Sequence, residues 1–441
     1  MRFIHNQTFN TNRLRIVPLI VMILAAILPI TALAQSMEEY RQMAAEQNPE
    51  VRSAFYNYLA SLEERPQAGS LPDPEVAFAY FIEPVETRLG PQQARISVSQ
   101  MFPWFGTLES RRTLAGLRAK EQLEEFQEIR NRLFYRMESA LVELYELEKS
   151  IEIARENLDI LNTLVEISLR RYETNQATQV DVLRAQIELE DLKTELALLE
   201  DDRNVAKQRV LELLNRGRGF RVEAPDTLFP SREMEDRQLL MQKILQQNPT
   251  LSRLHYRELS SEERVELASK NGKPSFGLGL DYIFTGERND MPALTGNGQD
   301  ALIARASFRI PIFKKSNSAE VREAERSLRA AESRFTDRKN TLETDLDASL
   351  RDFYDAERQF RLYDEKQIQR VNQALSIMMQ AYATDSSGFE EILRMQRKLL
   401  DYRLNRIRAV AEMHRSRAYI DYLIGRHNVN PESLSVNSNF D

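Results

Sequence analysis

At 441 residues the chain is longer than one ordinary core supports, so two domains, a repeated unit or an elongated shape is expected. Its 14 glycines and single tryptophan, beside 29% charged residues, favour long helices over a compact α/β enzyme. The absence of cysteine excludes disulfides, thiolate metal sites, a cysteine nucleophile and an acylated N-terminal cysteine, and the four histidines (His5, His255, His414, His427) show no HExxH-type spacing, so no metal or other cofactor is expected.

At the N-terminus, Arg2, Arg13 and Arg15 precede or begin the apolar run 16–30, which ends in Thr31-Ala32-Leu33-Ala34. A basic region, an apolar stretch and small residues before a cleavage point describe a secretory signal peptide over residues 1–34. The alternative is a retained anchor, for which the run is short. No later stretch of about 18 apolar residues exists, so no transmembrane helix is expected in the mature chain. Losing three arginines takes the net charge further below −7, and no basic stripe offsets it, which argues against nucleic acid as a partner.

The rest reads as two copies of one plan. Asn48-Pro49 is answered by Asn248-Pro249, Pro103 by Pro311 and Tyr172 by Tyr382. The first copy spans 35–216: a short helix over 36–64, a β-hairpin at about 75–100, a long helix over 104–173 and a return helix over 180–216. A linker, 217–235, leads to the second copy, 236–425: a short helix, a hairpin at about 274–310, a long helix over 314–383 and a return helix over 388–425. A tail, 426–441, follows.

Each hairpin is read from alternation. Val76, Phe78, Tyr80 and Ile82, then Ile96 and Val98, are apolar on one side; Leu278, Leu280, Tyr282 and Phe284, then Leu302 and Phe308, repeat the pattern. The other side carries Arg95, Asp281, Arg305 and Arg309. Strands of roughly 8 to 11 residues are long enough to cross a bilayer when tilted. Four strands cannot close a barrel, and open edges are not tolerated in lipid. Either the sheet is a small soluble cap on a helical bundle, or several chains pool their strands.

In the long helices, Leu144, Leu147, Ile151, Ala154, Leu158, Leu161 and Val165 recur in steps of three and four, as do Ile368, Val371, Leu375, Met378 and Tyr382. A period of 3.5 predicts helices that supercoil about one another. Pro103 and Pro311 are placed at the helix starts, where a missing N–H costs nothing. Asn175 and Asp385 fall where each long helix should end, in a position suited to left-handed backbone, so YETNQATQVDVL reads as a helical hairpin. A helix of about 70 residues is about 105 Å long, and the short and return helices stacked end to end would match it.

The signal peptide, the duplicated plan, the joint VSQMFPWFG and the two motifs Y-x(8)-D/E-[VI]-L together resemble the TolC-like family of outer-membrane efflux proteins over essentially the whole mature chain. That resemblance implies a mainly α protein with a small β part. It further implies a homotrimer whose four strands per protomer make a twelve-stranded barrel in outer-membrane lipid of a Gram-negative bacterium, continuous with a hollow periplasmic α-barrel. It also implies a passive, non-enzymatic conduit for efflux or type I secretion, with a periplasmic adaptor and an inner-membrane pump or transporter as partners. The docking tips would be Tyr172, Asn175 and Gln176 in one copy and Tyr382, Asp385 and Ser386 in the other. Asn175 and Asp385 stand where the family usually has glycine. Asp181 and Glu391 match positions at which some members narrow the periplasmic mouth, while Arg394 replaces a second acid. Both acids also suit ordinary first turns of helices. Arg95, Asp281, Arg305 and Arg309 would face the barrel lumen, and Trp104 either packs the strand-to-helix joint or joins an aromatic girdle. A soluble periplasmic coiled-coil scaffold is the alternative function.

Overall fold

A computed structural model describes residues 37–230, 234–290, 292–293, 295–383 and 388–429. The expected signal peptide, tip residues Asp385 and Ser386, and most of the tail lie outside the described residues. The first half runs α1 (Met37–Gln47), α2 (Pro49–Ala68), β1 (Glu75–Thr87), β2 (Gly90–Phe102), α3 (Thr107–Glu173) and α4 (Gln179–Leu213). The second runs α5 (Arg237–Gln247), α6 (Pro249–Asn271), β3 (Ser275–Thr285), β4 (Ala301–Arg309), α7 (Lys314–Leu362), a π-helical turn (Tyr363–Gln367), α8 (Ile368–Ala383) and α9 (Phe389–Ile424). Among the described residues no helix is long and apolar enough to cross a membrane.

The structure departs from expectation at three places, each for a local reason. The short helix over 36–64 is two helices, and its counterpart is likewise two, because a residue before proline is pushed out of the helical region. Asn48 sits at φ −70, ψ 124 and Asn248 at φ −65, ψ 118, with proline opening the following helix. The long helix expected from residue 104 begins at Thr107, since Gly106 is left-handed at φ 77 and forms the helix boundary; Pro103 belongs to the turn before it. The second long helix is not continuous, because the π turn inserts an extra residue between α7 and α8.

Asn48 and Asn248 do more than cap. The Asn48 Oδ1 accepts from the Glu50 and Val51 N–H groups, while its Nδ2 donates to the Leu213 carbonyl at 3.0 Å. Asn248 repeats this with Leu251 N–H and the Leu423 carbonyl at 2.8 Å. One buried carboxamide thus satisfies the N-terminus of one helix and the C-terminus of another, so α2 stacks on the end of α4 and α6 on the end of α9. Asn215 and Asn428 reinforce the two joints by donating to the carbonyls of Gln47 and Gln247.

The long α3 lies against α2 and α6 over its first part and against α4 and α9 over its second. The apolar seam fills the space between them: Ala154 and Leu161 of α3 pack with Ala185, Leu189 and Leu192 of α4, Leu375 of α8 and Ile392 and Leu400 of α9. A second cluster surrounds Tyr40, Phe126, Met137, Leu141, Val210 and Leu214. These rows are the buried face that the 3.5 period describes.

Strands β1 to β4 form one antiparallel sheet in chain order, with β2 and β3 joining the two hairpins. At 13, 13, 11 and 9 residues, three of the strands reach or exceed the upper end of the expected length. The register aligns Val76, Val98, Leu280 and Ala304 in one row and Phe78, Ile96, Tyr282 and Leu302 in the next. The alternate rows hold Ala77, Ser97, Asp281 and Ile303, and Ser99, Gly279 and Arg305. β1 and β4 are the outer strands, each paired on one side only within the chain.

Candidate functional site

Two regions at opposite ends of α3 carry the sequence-predicted residues. At the hairpin tip, Asn175 adopts φ 60 after the last turn of α3. Its N–H donates to the Tyr172 carbonyl and that of Gln176 to the Arg171 carbonyl at 2.7 Å. This pair of bonds closes a helix C-terminus with a left-handed residue, a role asparagine fills when glycine is absent. The chain turns back at Thr178, whose hydroxyl accepts from Asp181 N–H at 3.3 Å while the Asp181 carboxylate accepts from Thr178 N–H at 3.1 Å and from its hydroxyl at 2.8 Å. Asp181 is therefore the reciprocal half of a capping box.

The equivalent tyrosines of the two copies end in different places. Tyr172 is 44% exposed, whereas Tyr382 is 7% exposed beneath the Arg171 guanidinium, 4.2 Å from the ring centroid, and beside Phe389. Arg171 also donates to the Tyr382 carbonyl, tying the C-terminal end of α8 to α3. On the return helices, Arg184 pairs with Glu390 at 2.7 Å and Arg397 with Glu188 at 3.1 Å, linking α4 to α9. Glu391 and Arg394 approach to 4.0 Å, both largely exposed. Sequence reading missed Arg171, Arg184 and Glu390, because their partners lie in the other copy and no local pattern announces such a pair.

At the other end, the sheet exposes its apolar rows: Phe78, Tyr80, Leu302 and Phe308 are each about 70% exposed and Ile82 is 91% exposed. The opposite face holds the polar candidates. Asp281 is buried and faces Arg305 at 3.7 Å, while Arg95 and Arg309 are exposed on the same side. Trp104 lies in the turn between β2 and α3, its ring edge-on to Phe105, which in turn meets Phe276. This places it at the strand-to-helix joint. The tip and the sheet together offer binding and passage surfaces.

The family model described as "Outer membrane efflux protein" matches the chain twice, over residues 40–216 and 240–426. No curated protein sequence matches it. Among solved structures, the outer membrane protein VceC of Vibrio cholerae is similar with a TM-score of 0.75 at 16% identity, covering 88% of this chain and 96% of that one. The Campylobacter jejuni CmeC outer membrane channel has a TM-score of 0.76 at 12% identity, covering 92% of this chain and 90% of that one. The open state of the Neisseria gonorrhoeae MtrE outer membrane channel has a TM-score of 0.71 at 15% identity, with 88% of each chain covered. At these identities the likeness is one of fold: long helices continued into a four-stranded sheet. With the family model accounting for most of both halves, the chain belongs to the outer membrane efflux protein family and is an outer-membrane protein with a large periplasmic helical part.

Proposed function

We propose that three copies pool their sheets into a twelve-stranded barrel and their helices into a periplasmic cylinder, forming a passive conduit. A periplasmic adaptor and an inner-membrane pump or transporter would supply both the solute and the energy. One observation carries this reading: an entire face of the sheet is apolar and exposed while β1 and β4 have no partner on their outer sides within the chain. Backbone N–H and C=O groups cannot be left open in lipid, and about eight strands are the fewest that close, so pooled strands satisfy both demands. A soluble scaffold would instead leave Phe78, Ile82, Leu302 and Phe308 in water as one patch.

On this reading the polar rows with Arg95, Asp281, Arg305 and Arg309 face the lumen. The Asn175 turn, with exposed Tyr172 and Gln176, would meet the adaptor, and the second tip would meet it through Asp385 and Ser386 beside Tyr382. Asp181, Glu391 and Arg394 would lie around the periplasmic mouth. The deciding experiment is detergent purification of the mature protein from fractionated outer membranes, followed by mass determination and planar-bilayer recording. A detergent-dependent, heat-modifiable trimer that conducts ions is expected; a monodisperse monomer soluble without detergent overturns the proposal.

A further inference from the structure

A cavity of about 380 Å³ opens where the sheet meets the helices, between the start of α3, the end of α6 and the base of β2, β3 and β4. Arg111, Lys270, Lys273 and Arg309 line it, and no carboxylate does. Lys270 is engaged, donating to the Ser110 hydroxyl at 2.7 Å and meeting Glu266 at 3.3 Å. Arg111, Lys273 and Arg309 are exposed and enter no ion pair among the described residues. Three uncompensated cations around one concavity repel one another, an arrangement that an anion relieves.

Two further observations point to a ligand. Thr107, also in the lining, is 2% exposed, yet its buried hydroxyl oxygen has no hydrogen-bond partner in the chain. Buried hydroxyls are almost always satisfied, so one facing a cavity is a donor in want of an acceptor. Thr107 is also the first residue of α3, whose boundary residue Gly106 offers no side-chain cap, so the first-turn N–H groups and the positive end of a 67-residue helix face the same place. Arg111 follows Thr107 by one turn and presents its guanidinium on the same helical face.

We propose that this cavity binds a phosphate-bearing anion, with the Thr107 hydroxyl and the α3 N-terminus donating to its oxygens and Arg111, Lys273 and Arg309 neutralising its charge. Phosphate suits the set because it accepts several donors at once and pairs with guanidinium in a planar fork. Met101, Ser275 and Arg309 in the lining belong to the polar rows of the sheet, not to the apolar face. Only the source of the ligand rests on the channel reading: if the polar face lines a lumen, the anion is a solute in passage; if not, a lipid headgroup is the other carrier of the same group.

Trp104, the chain's only tryptophan, lies in the lining and reports on the cavity directly. Titration of the full-length protein in detergent with inorganic phosphate, against chloride at matched ionic strength, should give a saturable change in its emission with phosphate alone. Arg111→Gln combined with Lys273→Gln should weaken the response about tenfold or more, the loss expected for charge-assisted hydrogen bonds. Thr107→Val, which keeps shape and removes the donor, should weaken it less while leaving thermal stability unchanged or higher. A response to vesicles containing phosphatidylglycerol but not to inorganic phosphate assigns the cavity to a lipid headgroup. Equal responses to chloride and phosphate, or a phosphate response unaltered in the double variant, overturn the proposal. Because the readout needs no conduction, a protein that binds but does not conduct refutes only the channel reading, and one that conducts without binding refutes only this site.

Discussion

Asn48 and Asn248 hold their joints with both ends of a carboxamide, and no other residue type supplies an acceptor and a donor in that shape except the longer glutamine. Asn248→Ala removes a cap worth about 1 kcal/mol and leaves the buried Leu423 carbonyl unsatisfied at a further cost of about 1 to 3 kcal/mol. Aspartate separates the two functions: Asn248→Asp preserves the cap but cannot donate to Leu423, so it should be destabilising too. Thermal melts of the purified protein check this; an Asn248→Asp variant as stable as wild type would mean capping alone matters.

Glu391 and Arg394 form an exposed pair worth under about 1 kcal/mol, so any role at the mouth would come from charge gathered by symmetry and not from this contact. Glu391→Ala should alter single-channel conductance at low pH and weaken block by multivalent cations; unchanged values would leave Glu391 as an ordinary first-turn acid. Burial with no cationic partner pushes Glu124 up from 4.5 to about 7. A raised carboxyl favours folding below 4.5, where both states hold the proton, and that contribution is lost as pH rises through about 7. Glu124→Gln should therefore raise the melting temperature at pH 8 and leave it unchanged at pH 4, a contrast that differential scanning calorimetry can read.

Among the elements, the second long helix carries the one irregularity the apolar period did not reveal. Its seam passes from Phe353 and Ala356 to Val371, Leu375 and Tyr382, and the π turn Tyr363–Gln367 absorbs the residue that would otherwise rotate the lower seam away from α9. Tyr363 stacks near Tyr402 and Asp364 pairs with Arg406 at 3.0 Å across to α9. Deleting Glu365 should restore a regular helix and turn α8 by about 100°, exposing Val371 and Leu375. Increased protease cleavage near the tip is the expected result. Arg406→Gln, which removes only a half-exposed pair, should change stability by less than about 1 kcal/mol.

For the whole molecule, the two faces of the sheet make opposite predictions. Leu280→Arg places a charge among the apolar rows and should cost about 2 to 4 kcal/mol near the bilayer midplane, lowering the amount of protein recovered in outer-membrane fractions. Arg305→Ala on the polar face should leave that amount unchanged while altering conductance. Equal recovery of both variants would show that the apolar rows do not meet lipid.

The sequence by itself determined the element types, the separation of apolar and polar strand faces, and the left-handed turn at Asn175, because each depends on residues within a turn or a strand of one another. The Asn-Pro pairs were visible too, but only as repeated landmarks. Only the tertiary structure decided that they clamp stacked helices, that Tyr382 is buried under Arg171 while Tyr172 stays exposed, and that both hairpins share one sheet. The cationic cavity at the base of the strands belongs with these. In each case the interacting groups come from distant parts of the chain, and a one-dimensional period records which face is buried without recording what covers it.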